Sequence, residues 1–283
     1  MTTDSRTLVL ACLAAALYAA ATLICALGLR SAEPARTLRL SRVALWHAVA
    51  ALVMHALALD GDLIQPDGWR FDFGNALSLF VWQCALVLTL FALHRPATHL
   101  GLVVFPAAAA GALIGALTPV GAAAADTVSL GPGWPLRAHI LLSLLAYSLL
   151  TLAAVQACAL AWQDRKLRPQ SQQPLPAMAN LPALETMEET LFQLIALGFA
   201  LLTLALLSGL VFVNDLFAQH LAHKTVLSII AWGVFAILLW GRWRSGWRGR
   251  TALRWTLAGY SVLLLAYFGS KFVLEILLGR HWS

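Results

Sequence analysis

The residues whose type and spacing could do chemistry in this chain are histidines. His55 and His139 each fall inside an apolar run, where an ionisable side chain is costly and marks a functional candidate. If the run at 43–60 crosses a membrane outward and the run at 138–162 crosses back, both rings lie near the outer end of their segments. Two imidazoles at matching depth on different helices could grip one cofactor between them. From His139, the residues Ser143, Tyr147 and Thr151 follow at steps of four and extend a polar stripe along one helical face. Ala44, Ala48 and Ala51 are small and leave room beside that segment for something bulky. The plainer alternative is that each ring bonds a neighbouring carbonyl or sits wet at the interface.

A second group lies in the connection at 214–224, with Asn214, Asp215, His220, His223 and Lys224. His220 and His223 share a face if this stretch is helical and could bind a metal. A zinc site needs three or four ligands, and Asp215 is the one evident third, so a solvated loop stands as the alternative. His47 sits near the inner end of its segment, where a second ligand could come only from His94 or His99. Tyr260, Tyr267, Lys271 and Glu275 mark the last segment, with Lys271 and Glu275 placed to pair near its outer end. No acidic residue falls near the middle of any apolar run, which argues against a proton-driven pump. Cys12, Cys25, Cys84 and Cys158 form no C-x-x-C pair, so thioredoxin-like chemistry, thiolate zinc sites and covalent c-type haem attachment are excluded. They read as buried small apolar residues. No hydrolase triad, phosphate loop or nucleotide fingerprint is present.

The elements that must position these groups follow from composition. Of 283 residues, 60% are hydrophobic and 11% charged, with a mean hydropathy of +0.78. Soluble domains carry about 25% charged residues, so this chain cannot cover soluble surfaces. Spanning helices of roughly 20 apolar residues are expected near 7–29, 43–60, 74–93, 100–118, 138–162, 190–213, 225–241 and 252–278. The fold class is therefore all-α: one polytopic integral membrane bundle of about eight transmembrane helices, forming a single transmembrane domain over 1–283. The run at 7–29 is too long for a signal-peptide core and is kept as a helix. The longest connection, 164–189, holds Pro169, Pro174, Pro176 and Pro182 and reads as an irregular cytoplasmic linker.

Thirteen of the 19 Lys and Arg residues fall in the connections after the first, third, fifth and seventh runs. The positive-inside rule then puts both termini outside. The stretch Arg242-Trp243-Arg244-Ser245-Gly246-Trp247-Arg248-Gly249-Arg250 could stack on bases, but interfacial indoles with snorkelling arginines account for it as a lipid contact. The basic excess therefore implies no nucleic-acid partner. Gly111-x-x-x-Gly115 offers a close helix-packing surface. Pro106 is the one interior helix breaker, against the paired broken helices expected of a transporter.

Several stretches carry a family resemblance. They are Val53-Met54-His55-Ala56-Leu57-Ala58-Leu59, His139-Ile140-Leu141-Leu142-Ser143-Leu144-Leu145-Ala146-Tyr147, His223-Lys224-Thr225-Val226-Leu227-Ser228 through Ala231-Trp232 to Arg250, and Leu265-Ala266-Tyr267-Phe268-Gly269-Ser270-Lys271. Together they resemble the cytochrome c assembly family of haem-handling membrane proteins, specifically a short eight-helix branch from the bacterial inner membrane. The resemblance implies non-covalent haem b, with iron held by His55 and His139, and His223 and His220 at the outer exit. The partners it implies are lipid, haem, cytochrome c maturation components and apocytochrome c. Larger members present haem to a synthase reaction through a W-G-x-x-W-x-W-D loop. This chain lacks that loop, and Trp240 stands where those members have an inner histidine. The expected role is thus a haem-handling accessory in cytochrome c assembly or haem trafficking rather than an enzyme. A small-solute permease or exporter, or a membrane scaffold without haem, are the alternatives.

Overall fold

Long apolar runs with few helix breakers form helices because, in lipid, every backbone N–H and C=O must be satisfied within its own segment. The computed structural model describes residues 5–65, 68–71, 73–118, 128–130, 134–166, 180–212 and 222–266. Eight helices are present: α1 (Ser5–Arg30), α2 (Pro34–Leu63), α3 (Phe73–His94), α4 (Gly101–Leu117), α5 (Trp134–Lys166), α6 (Leu184–Phe212), α7 (Ala222–Ser245) and α8 (Gly249–Leu264). Seven of them are long and apolar enough to cross a membrane. The chain is a multi-pass, predominantly helical membrane protein.

Helix boundaries depart from the sequence expectation mainly at the ends. α2 begins at Pro34 rather than near 43, so Arg36, Arg39 and Arg42 ride on its first turns. Proline suits the first helical position, where its missing N–H has no partner to lose. α5 extends to Lys166 and α6 starts at Leu184, shortening the linker from both sides. Glu185 then falls in the first turn of α6, where the helix dipole favours an anion. The outer part of the last expected segment, with Tyr267, Lys271 and Glu275, lies outside the described residues.

Three short strands were not foreseen. β1 (Ile64–Gln65), β2 (Gly68–Phe71) and β3 (Val128–Leu130) form an antiparallel ribbon in the order β1-β2-β3. It joins the connection after α2 to the one before α5. At two to four residues each, these strands are too short to show a two-residue periodicity in sequence.

The chain divides into two compact units, residues 1–133 with 162–186, and residues 134–161 with 187–283. In the first unit, α1 turns one small face inward: Ala11, Ala14, Tyr18, Ala21, Cys25 and Gly28 are buried at steps of three and four. α2 answers with Ala44, Ala48 and Ala51, all fully buried. The room these alanines leave is taken by helix packing rather than by a ligand, which corrects the sequence expectation. Close approach of this kind holds membrane helices together, since lipid supplies no hydrophobic drive between them. Gly111 and Gly115 of α4 behave as expected: a Cβ at Gly111 would strike Val81 of α3, and one at Gly115 would come within 2.9 Å of Ser78. α4 runs unbroken through Pro106. The Asn180 amide donates to the carbonyls of Leu29 (3.1 Å) and Ser31, tying off the end of α1, where helix carbonyls lack partners.

In the second unit, Gly198 of α6 brings that helix within 2.8 Å, for an added Cβ, of the Leu150 side chain on α5. Gln156 donates to the Met187 carbonyl at 2.8 Å. Of the cysteines, Cys25 and Cys84 are buried, but Cys12 and Cys158 are exposed. For those two the expected burial does not hold: they lie on outer helix faces, where a thiol costs nothing in hydrocarbon.

Candidate functional site

Hydroxyl side chains inside the second unit follow one pattern. Thr151, Thr203 and Ser208 each donate their single hydrogen to a carbonyl of their own helix and so present an oxygen to a neighbour as an acceptor. Thr203 donates to the Phe199 carbonyl at 2.8 Å and accepts from the Trp232 indole of α7 at 2.9 Å, while the Phe199 and Trp232 rings stack at 5.5 Å. Thr151 donates to the Tyr147 carbonyl at 2.8 Å, so its 3.0 Å contact with Tyr260 has the phenol as donor. The stripe expected below His139 thus reaches α8 through Thr151.

His139 belongs to the same scheme. Ser208 of α6 donates to the Ala205 carbonyl at 2.9 Å, and its oxygen lies 2.8 Å from His139 Nδ1. A Ser208 hydroxyl that gives its hydrogen to Ala205 leaves its oxygen to accept from Nδ1–H, and the Ala205 carbonyl is itself a hydrogen-bond neighbour of the ring. A neutral imidazole in that tautomer has its lone pair on Nε2. The ring is half-buried, and its side-chain hydrogen bond is made at Nδ1. Gly209 adjoins the ring closely enough that a Cβ there would lie 3.3 Å from Cε1. The result is an anchored imidazole with an open nitrogen, the condition that a metal-bound histidine requires.

His55 sits in the first unit under opposite conditions. Its ring is 0% exposed. Nε2 shares a 2.9 Å hydrogen bond with Ser78 of α3, and the edge of Tyr18 meets the ring at 5.9 Å. Tyr18 in turn stacks on Phe105 of α4 at 6.1 Å. Among the described residues, neither His55 Nδ1 nor the Tyr18 hydroxyl has a partner. An unsatisfied buried polar group of this kind costs about 1–3 kcal/mol. Nearby, the Trp82 indole donates to the Leu52 carbonyl at 2.9 Å, fixing α3 against α2.

The remaining candidates separate. His47 donates to the Val43 carbonyl at 2.9 Å and His94 to the Leu90 carbonyl at 3.3 Å, so each is satisfied on its own helix. His223 lies in the first turn of α7, but its side chain is outside the described residues, as is all of His220. Among the described residues, no group of three or more His, Cys, Asp or Glu could hold a metal ion. Ser208, Ser78 and Tyr18 were missed by sequence reasoning. The available signal was a lone hydroxyl within an apolar helix, where it must find a partner inside the protein.

For haem, the donor set gives a divided result. His139 fits an axial ligand as it stands, with Nδ1 anchored and Nε2 open. His55 is fully buried with Nε2 engaged by Ser78, so it is closed to a group of that size as it stands.

These features define a class: a multi-pass helical membrane protein that presents an oriented imidazole from one of its spans. The chain belongs to the cytochrome C assembly protein family, which it matches over residues 43–278. It is 35% identical over 243 residues to "Inner membrane protein YpjD" of Escherichia coli (strain K12), covering 83% of this chain and 88% of that protein. It is 33% identical over 216 residues to an uncharacterized 28.8 kDa protein of Azospirillum brasilense, covering 75% of this chain and 78% of that protein. A shorter match, 30% over 125 residues, links it to "Cytochrome c biogenesis protein CcsA" of Synechococcus sp. (strain JA-3-3Ab), covering 42% of this chain and 36% of that protein. No solved structure matches the chain.

Proposed function

We propose that this protein binds non-covalent haem b and acts in cytochrome c assembly or haem trafficking at the outer face of the bacterial inner membrane. The observation that carries the reading is His139: Ser208 holds Nδ1–H at 2.8 Å, and Nε2 is left as the electron-pair donor. His139 is the primary ligand. His55, fully buried, is the closed counterpart in the first unit, and His223 and His220 serve the outer exit. Bound haem would supply a redox-active iron whose potential is set by its imidazole ligands and the polarity around them. The chain's own residues orient the imidazole and exclude water, through the apolar spans around them.

Supporting the setting, YpjD is named an inner membrane protein and CcsA a cytochrome c biogenesis protein. The basic residues at the α1–α2 and α7–α8 turns support a reading with those turns inside and both termini outside. Apocytochrome c and other maturation components are the partners this placement allows.

The test is an absorption spectrum of the full-length protein purified in detergent from haem-replete cells, oxidised and reduced. A Soret band with sharp reduced α and β bands, scaling with protein, is the expected outcome. A colourless protein that also fails to take up added haem contradicts the reading.

A further inference from the structure

The α7–α8 corner is built rigidly, and its charges fall into two classes. Gly246 and Gly249 hold positive φ angles of 63° and 54°, conformations that glycine adopts without strain. Two backbone bonds close the end of α7: Gly246 N–H to the Arg242 carbonyl at 3.1 Å, and Trp247 N–H to the Gly241 carbonyl at 3.2 Å. Arg242 faces inward. It donates to Glu188 Oε1 at 2.9 Å and to the Trp247 carbonyl at 3.2 Å, and its guanidinium lies 4.5 Å from the Phe192 ring centre. Arg248 also reaches Glu188, at 3.5 Å. These two cations are matched to an acid of α6.

Arg244 and Arg254 are different. Both are exposed, and neither forms an ion pair among the described residues. Trp240 and Trp243 stand on the same face of α7 as Arg244, 63% and 76% exposed, with their rings edge-on at 5.2 Å. Arg254 lies five residues into α8 and Trp240 five before the end of α7, so both sit about 7.5 Å from the corner. An arginine at that level reaches outward along its stem to the headgroup layer. Two outward indoles at the end of an apolar span are favourable at the lipid–water boundary, and an uncompensated cation on their own face of α7, with a second on α8 at the level of Trp240, calls for an anion there.

We propose that this corner binds the headgroup phosphate of an anionic phospholipid, with Arg244 and Arg254 as donors and the Trp240–Trp243 pair as the interfacial platform. The site is independent of haem. The Glu188–Arg242 clasp serves it by fixing the corner.

The test uses the full-length protein in nanodiscs of ordinary phosphatidylcholine doped with brominated phosphatidylglycerol or brominated phosphatidylcholine. Quenching at the corner is isolated by subtracting the signal of a Trp240→Phe/Trp243→Phe variant. Phosphatidylglycerol is expected to be enriched over phosphatidylcholine at low salt, by roughly fivefold for each arginine. Arg244→Gln and Arg254→Gln each remove one such factor. Arg39→Gln, the same charge change on α2, leaves the preference intact. Equal quenching by both lipids overturns the proposal and leaves an acidic protein partner as the occupant to seek. Equal loss in Arg39→Gln overturns it too, by showing a diffuse charge effect.

Discussion

His139 and His55 are one residue type in two settings. His139 is half-buried, its proton fixed on Nδ1 by a serine oxygen that has no hydrogen left to give. His55 is sealed, its Nε2 bonded to Ser78 and its Nδ1 left without a partner among the described residues. The first ring is prepared for a ligand and the second is prepared for packing. An imidazole's capacity to bind is thus decided less by its depth in the membrane than by which nitrogen its neighbours leave exposed.

The largest effect is expected at His139. His139→Ala should abolish stoichiometric haem binding, read as loss of the Soret band per protein. Equal haem content in His139→Ala and wild type breaks the comparison at its stronger end. His55→Ala should leave haem content and spin state as in wild type and lower thermal stability instead. A loss of haem or a changed spin state in His55→Ala breaks the comparison at its other end.

Ser208→Ala comes next. Removing the hydrogen-bond partner of a metal-bound imidazole typically weakens the site about 10–100-fold, and haem titration should show a loss in that range. Ser208→Thr keeps an oxygen that can accept from Nδ1 and should restore most of it. A Ser208→Ala protein with wild-type affinity and redox potential removes the tautomer argument. In the first unit, Gly111→Ala drives a methyl into Val81. Overpacking of this kind costs about 1–3 kcal/mol, read as earlier thermal unfolding, with haem affinity at His139 unchanged. Gly209→Ala is the mildest: at 3.3 Å from Cε1 the new methyl shifts the His139 ring by a few tenths of an ångström, and haem affinity should fall only a few-fold.

The bundle was legible in the sequence because apolar length reports directly on spanning helices. So was the Gly111–Gly115 surface, since two glycines four apart strip one helical face of side chains and let a neighbouring helix approach. The ends of α2 and α5 were not legible, because charged residues such as Arg36 and Arg165 can ride on helical turns beyond the apolar core. The β1–β2–β3 ribbon escaped because its strands are too short to carry a pattern. At the candidate site, spacing identified His55 and His139 but treated them alike. What separates them is the Ser208 contact at His139 and the full burial of His55 between Ser78 and Tyr18, and both depend on partners remote in sequence. Ala44, Ala48 and Ala51 were read as room for a ligand because small residues look the same whether they face a cofactor or another helix.

The central claim is that position 139 is an open ligand site and position 55 a closed one. Imidazole rescue tests it most directly: haem titration of His139→Gly and His55→Gly proteins with and without added imidazole, followed at the Soret band. The account predicts that imidazole restores haem binding to His139→Gly, because the space left there is reachable and already shaped by Ser208, and changes little in His55→Gly, whose site is fully buried. Rescue at position 55 with none at position 139 would contradict it.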